Sequence, residues 1–398
     1  MSPTATDGAP EPRGTVYAVA GAAFLLLVAT LAGPIAPMGI ATALTAVATL
    51  ACFARAPRPR WPHTGVEWAA VGWLVAMVLV SACALDRAAS LPRVSKALMP
   101  FLVPLAAFHT RDSQRGRRVL AVYLTFAGVV AVFGLAVWVM KGASFDARAR
   151  GLSGHYMTFA GQLLLQIPVA LGVALSARDK RWRSAAAAVA LLAFAAIAAT
   201  FTRSAWLGLF VACALMLGVT RPAGLVVLAL AGVAAWFLAP GAWGARLHSV
   251  ADPGNLWNRE RVFMWDAGVR MFRDHPLTGV GLQDLHALYD QYRSPDSVER
   301  AGHLHNAFVQ IAASMGLAGL AAFAWLYGSL LRAASGGLAA LRTRGLAGGV
   351  RLGVTAALVG FLVAGAFEWN FGDEELLYHL YTLVGLAWAT RYWPAEGA

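Results

Sequence analysis

Two histidines and an asparagine, His303, His305 and Asn306, stand directly before a long apolar run in "HLHNAFVQIAASMGLAGLAAFAWLYG". Imidazole is the side chain whose ordinary proton affinity lies near neutrality, so it suits the removal of a proton from a hydroxyl. Two arginines could meet the complementary need of holding negative charge: Arg203 in "ATFTRSAWLG" and Arg261 in "NRERVFMWDAGVRMFRDHPLTGVG". Guanidinium groups fork onto phosphate oxygens with charge assistance. Arg148 and Arg150 in "FDARARGLSG" are lesser candidates of the same kind. Asp86, Asp146, Glu368 and the acids of "GDEE" could do base chemistry. None of them is spaced with a histidine as metal ligands are, so no obligatory metal is expected.

The elements that must position these groups follow from composition. Of 398 residues, 59% are hydrophobic and only 13% are charged, which defines a polytopic membrane protein. Apolar runs suited to a bilayer core recur about twelve times: 15–32, 35–54, 66–84, 95–109, 118–139, 157–177, 184–200, 204–219, 223–239, 306–331, 351–367 and 376–391. The expected fold is therefore all-α. An N-terminal membrane region of about nine helices (1–239) precedes a large loop with an amphipathic helix (240–304) and a C-terminal membrane region of about three helices (305–398). The first apolar run lacks a small-residue cleavage site, so no cleavable signal peptide is expected. Cys52, Cys83 and Cys213 sit in or beside apolar runs without metal-ligand spacing and read as packing residues. The net charge of +12 is spread over many short loops, which excludes nucleic acid as the main partner.

Twelve spans with both termini inside place about 18 of the 32 basic residues in short cytoplasmic loops and tails, as the positive-inside rule requires. The outer face then carries "KGASFDARARGLSGHYM", the join "TFTRSAW", the stretch from about 240 to 304, and "EWNFGDEEL". Arg203 is wedged there between two apolar runs, at a membrane boundary where charge is costly. It could snorkel to lipid headgroups or bind phosphate.

In the long loop, Val262, Trp265, Val269 and Phe272 share a helical stripe with Arg261 at its edge, while Arg259, Arg270 and Arg273 group opposite with Asp266. Such a helix could lie along the membrane or lid a site. His305, Val309, Ala312, Gly316 and Gly319 follow at steps of four, three, four and three, and so share one face of the next helix. Asn306 falls near its N-cap. That face could be a catalytic mouth above a seam open to a lipid chain, or a polar cap over a small-residue packing seam.

The pattern resembles the O-antigen ligase and O-antigen polymerase superfamily of bacterial inner-membrane glycosyltransferases, which are GT-C-like. The resemblance rests on His305 and Asn306 followed by Gly316 and Gly319, on Arg203 in "TFTRSAW", and on Arg261 and Trp265 upstream of "PLTGVG". It implies metal-independent, inverting transfer of a glycan from undecaprenyl pyrophosphate to a sugar hydroxyl at the periplasmic face, with no cofactor. His305 would be the base, and Arg203 and Arg261 the pyrophosphate ligands, with Arg148 or Arg150 in support. Glu368 or Asp86 could replace His305 as base. His303 is expected to point elsewhere and could bind acceptor phosphate. A chain ending just after its last span is most similar to the ligases, whose acceptor is lipid A-core; polymerase and protein O-oligosaccharyltransferase are the alternatives. A secondary transporter is the competing class, but related hydropathy in the two halves is not seen.

Overall fold

The computed structural model describes residues 14–54 and 58–394; the expected cytoplasmic tails lie largely outside these residues. The described residues are all-α. Among the described residues eight helices are long and apolar enough to cross a membrane, or nine if Gly224–Leu238 and Gly241–His248, bent by 108° at a short break, count as one. The other three expected spans fall on Thr15–Thr30, Glu67–Ala82 and Glu374–Ala389, each of 16 residues. At 1.5 Å per residue such a helix is shorter than a hydrocarbon core of about 30 Å. The protein is thus a multi-pass membrane protein with eight or nine full-length candidates in place of the twelve expected.

Tyr156–Ser176, Leu346–Gly365 and Glu374–Ala389 form the buried centre, with Ala307–Ser335 against them. Close approach is set by glycines: a Cβ on Gly353 would stand 2.6 Å from the Val169 Cα, so a side chain there would push the helices apart. Gly224–Leu238 buries no residue, as befits a helix bathed in lipid. The 240–304 stretch has its own small core, in which Met264, Met271, Leu285 and Tyr289 meet Leu304 and Ala313.

Two sequence expectations are corrected here. The buried face of the Leu256–Asp274 helix is Glu260, Met264, Ala267, Gly268 and Met271, and Val262 and Val269 are exposed. The apolar stripe was misplaced because a buried carboxylate, Glu260, belongs to the packed face. It accepts from the Ser297 hydroxyl (2.7 Å) and the backbone N–H groups of Val298 and Glu299 (3.2 and 3.3 Å).

The second correction concerns the glycine seam. The Ala307–Ser335 helix begins after His305 and is broken at Gly316, whose φ of 61° and ψ of −156° are not helical. His305, Gly316 and Gly319 therefore do not share one continuous face. The break receives the "PLTGVG" turn: Leu317 N–H donates to Pro276 C=O (2.8 Å) and Ala318 N–H to Leu277 C=O (3.1 Å). In return Val280 N–H donates to Ala313 C=O (2.9 Å) and Gly281 N–H to Ser314 C=O (3.0 Å). Backbone groups freed by the break are thus satisfied by the loop. Gly316 meets this turn, where the sequence suggested a helix or a lipid chain. A Cβ on Gly316 would lie 2.6 Å from the Leu277 oxygen and 2.7 Å from the Gly279 nitrogen. Gly316→Ala should therefore cost about 2 kcal/mol or more from backbone strain and clash, read as a lower Tm in detergent; an unchanged Tm would show that the turn yields freely.

Candidate active site

A cavity of about 650 Å3 lies where the start of Tyr156–Ser176, the start of Arg203–Thr220, the Leu256–Asp274 helix, the His303–His305 segment and the 368–373 turn converge. His305 is held there with φ 45°, a conformation few non-glycine residues adopt. Such strain persists only where surrounding contacts enforce it, and it concentrates at functional sites. One contact is the Asn306 side chain, which caps the following helix by accepting from Phe308 and Val309 N–H (2.9 and 3.1 Å).

Glu368 organises the centre. Its Oε1 accepts from His305 Nδ1 at 2.9 Å and stands 3.6 Å from His303 Nε2, while Oε2 lies 3.7 Å from the Arg261 guanidinium. Burial would raise the Glu368 carboxyl, but bonds from His303 and His305 and the charge of Arg261 outweigh it and hold the group well below the usual carboxylate range. An ionised Glu368 fixes the His305 proton on Nδ1 and leaves Nε2 free to accept. His303, expected to point elsewhere, instead lies with its ring centroid 4.3 Å from that of His305. Both were brought to Glu368 by a chain separation that no local spacing could reveal.

Four arginines line the same cavity: Arg148, Arg203, Arg246 and Arg261. Arg203 is 9% exposed. Its Nη1 donates to the Ser249 carbonyl (2.8 Å) and hydroxyl (2.9 Å), and its Nη2 to Asn258 Oδ1 (2.8 Å). These are neutral acceptors, so the charge is aimed but not cancelled. Arg148 stacks on Phe145 and Tyr156, with centroids 4.0 and 4.5 Å away. Arg246 donates to the Phe201 carbonyl at 3.1 Å and feels the charges of Arg203, Arg148 and Arg261. Among the described residues none of Arg148, Arg203 and Arg246 has a carboxylate within ion-pair distance. Three like charges gathered without ion-paired carboxylates favour a polyanion.

The remaining sequence candidates are placed otherwise. Arg150 is exposed and not among the cavity-lining residues. Asp86 lies apart from the cavity, where its Oδ1 caps Ala89 N–H at 2.9 Å and its own N–H donates to Gln283. Gly319 is buried in the helix-packing interior. Arg246 and His155 line the cavity but were not singled out from the sequence. His155 in "SGHYM" had a signal of the same kind as His305, an imidazole directly before an apolar run; Arg246 in the long loop had none.

His303, His305 and Glu368 also form a set that could hold a metal ion, their ligand atoms lying within 4.8 Å of one another. The sequence suggested no such grouping; folding created it. Arg261 beside Glu368 places a fixed positive charge against a cation there.

The cavity of this multi-pass membrane protein thus brings two histidines held by a buried carboxylate together with four arginines. Residues 187–324 match the family model described as O-antigen ligase (Wzy_C), and this part of the chain is an O-antigen ligase family domain, suggesting a membrane enzyme of glycosyltransferase type. The family includes O-antigen ligases, polymerases and O-oligosaccharyltransferases, and implies lipid-linked glycan substrates. Among curated proteins, none matches the sequence. The matched segment contains Arg203, Arg246, Arg261, His303 and His305, while Arg148, Glu368 and Asp373 come from outside it.

Proposed function

We propose that the protein is an O-antigen ligase, a metal-independent inverting glycosyltransferase that moves O-antigen polysaccharide from undecaprenyl pyrophosphate to a sugar hydroxyl of lipid A-core in lipopolysaccharide synthesis. The observation that carries this reading is one cavity joining a carboxylate-held histidine to Arg148, Arg203 and Arg246, none of which has a carboxylate partner among the described residues. The acceptor oxygen bonds to the anomeric carbon as the bond from that carbon to the phosphate oxygen breaks. The hydroxyl proton passes to His305 Nε2, and the electron pair leaves with undecaprenyl pyrophosphate. Attack opposite the leaving group inverts the centre. Glu368 steadies the imidazolium that forms, and Arg203 and Arg261, with Arg148 and Arg246, hold the leaving charge without a metal ion. Glu368 is the poorer base, since Oε1 already accepts from His305 and Oε2 is buried.

The location that goes with this reading is the bacterial inner membrane with the cavity facing the periplasm. Supporting it, the cavity opens at the helix ends opposite those carrying Arg111, Arg115, Arg183, Arg221 and Arg351, which the positive-inside rule assigns to the cytoplasm.

The test is transfer by purified protein in lipid, given an undecaprenyl-pyrophosphate glycan with lipid A-core and a second lipid-linked glycan as rival acceptors. Glycosylation of lipid A-core is expected. Elongation of the lipid-linked glycan alone would assign a polymerase, and solute counterflow without transfer would remove the enzyme reading. Transfer should continue in excess EDTA; loss restored by magnesium, manganese or zinc would make the histidine and glutamate cluster a metal centre.

A further inference from the structure

Glu368 divides the cavity. Arg261 approaches its Oε2, and the other arginines gather with Arg261. His303 and His305 approach Oε1. Asp373 stands at the far end of the same 368–373 turn, directly before the Glu374–Ala389 helix. It lines the cavity half-buried, and its Oδ2 accepts from the Thr158 hydroxyl at 2.8 Å. Among the described residues its Oδ1 has no hydrogen-bond donor and no cation within ion-pair distance; Lys96 pairs with Glu374 at 2.8 Å instead. Burial raises the Asp373 carboxyl, with the Thr158 bond opposing it. A carboxylate placed in a cavity without a cation costs desolvation energy that a ligand's donors can offset.

We propose that Asp373, positioned by Thr158, is the acceptor subsite, with its free oxygen receiving hydroxyl groups of the acceptor sugar next to the hydroxyl that meets His305. A carboxylate accepts strong, directional bonds from sugar hydroxyls, while it repels the pyrophosphate of the donor. The arginine side thus takes the anionic carrier and the Asp373 side takes the neutral polyol. Trp369, packed beside the 370–373 turn, adds an aromatic wall to this side of the cavity. Asp373 binds the acceptor, Thr158 positions Asp373, and neither takes the transferred proton. This inference rests on the ligase-type reading above and deepens it.

The experiment compares wild type, Asp373→Asn and Thr158→Val in two measurements. Binding of a lipid A-core glycolipid to protein in nanodiscs, without donor, should weaken about tenfold or more for Asp373→Asn and less for Thr158→Val, given the strength of hydrogen bonds to charged groups. In the transfer assay at saturating donor, the acceptor KM should rise by a similar factor, with kcat and donor KM within about twofold of wild type. A fall in kcat at unchanged acceptor KM, a rise in donor KM, or variants that bind acceptor like wild type would each overturn the subsite. If wild type binds and glycosylates lipid A-core while the variants match it, only the subsite falls. Failure of wild type to bind lipid A-core at all would overturn the acceptor proposed for the enzyme and the subsite with it. Equal Tm values for the three proteins separate the effect from misfolding.

Discussion

Replacing His305 by alanine should lower glycan transfer by about 10²- to 10⁴-fold, the range a positioned general base contributes, while the protein still inserts and folds. The expectation follows from the fixed tautomer: Glu368 accepts the Nδ1 proton at 2.9 Å, so Nε2 is the atom left to accept the acceptor proton. The backbone complicates a simple alanine test, since φ at this position is 45° and alanine tolerates that region poorly. Asparagine tolerates it several-fold better than most residues, so His305→Asn separates lost chemistry from lost conformation. Both variants should be inactive, and His305→Asn should keep the wild-type Tm. Substantial transfer by His305→Asn would return the base role to an acid such as Glu368.

Arg203→Ala should lower kcat by about 10²- to 10³-fold, by analogy with removal of one preorganised donor from an anionic transition state. Arg203 is 9% exposed and its guanidinium is fixed by Ser249 and Asn258, so it needs little reorganisation as charge develops on the leaving pyrophosphate. Its removal leaves the Asn258 Nδ2 bond to the Ser249 carbonyl at 2.8 Å in place, which should preserve the local fold. Lysine should not rescue, because a single ammonium cannot fork to Ser249 and Asn258 and also face the ligand. Single-turnover kinetics with the lipid-linked donor would measure this; near-normal rates for Arg203→Ala would reduce Arg203 to a tie between the helix start and the long loop.

Much of the candidate site was legible because its residue types are out of place in lipid. Arg203, flanked by apolar runs, and His305, directly before one, stand out against a chain with 13% charged residues. Arg261 was legible through its place upstream of "PLTGVG" and through a helical stripe that proved to be displaced, because Glu260 is buried by hydrogen bonds from the Ser297 hydroxyl and the Val298 and Glu299 backbone. Gly316 and Gly319 were legible as a motif but not as to purpose. The sequence suggested a smooth seam, whereas Gly316 breaks the helix to seat the "PLTGVG" turn. Two motifs some 35 residues apart, read separately, are halves of one joint that ties the arginine-bearing helix to the helix that follows His305.

By itself the sequence determined the class of solvent, the all-α fold, eight or nine of the twelve runs expected to span the membrane, and which cations and imidazoles had no ordinary place there. Those properties are local: hydropathy, periodicity and charge can be summed over a window of residues. The tertiary structure alone decided that Glu368, 63 residues from His305, holds both histidines, that Arg246 joins the other arginines, that Arg150 and Asp86 stand aside, and that Asp373 faces the cavity with one oxygen free. Those are facts of distance between helices whose packing depends on glycines and a broken backbone, and no summation along the chain contains them.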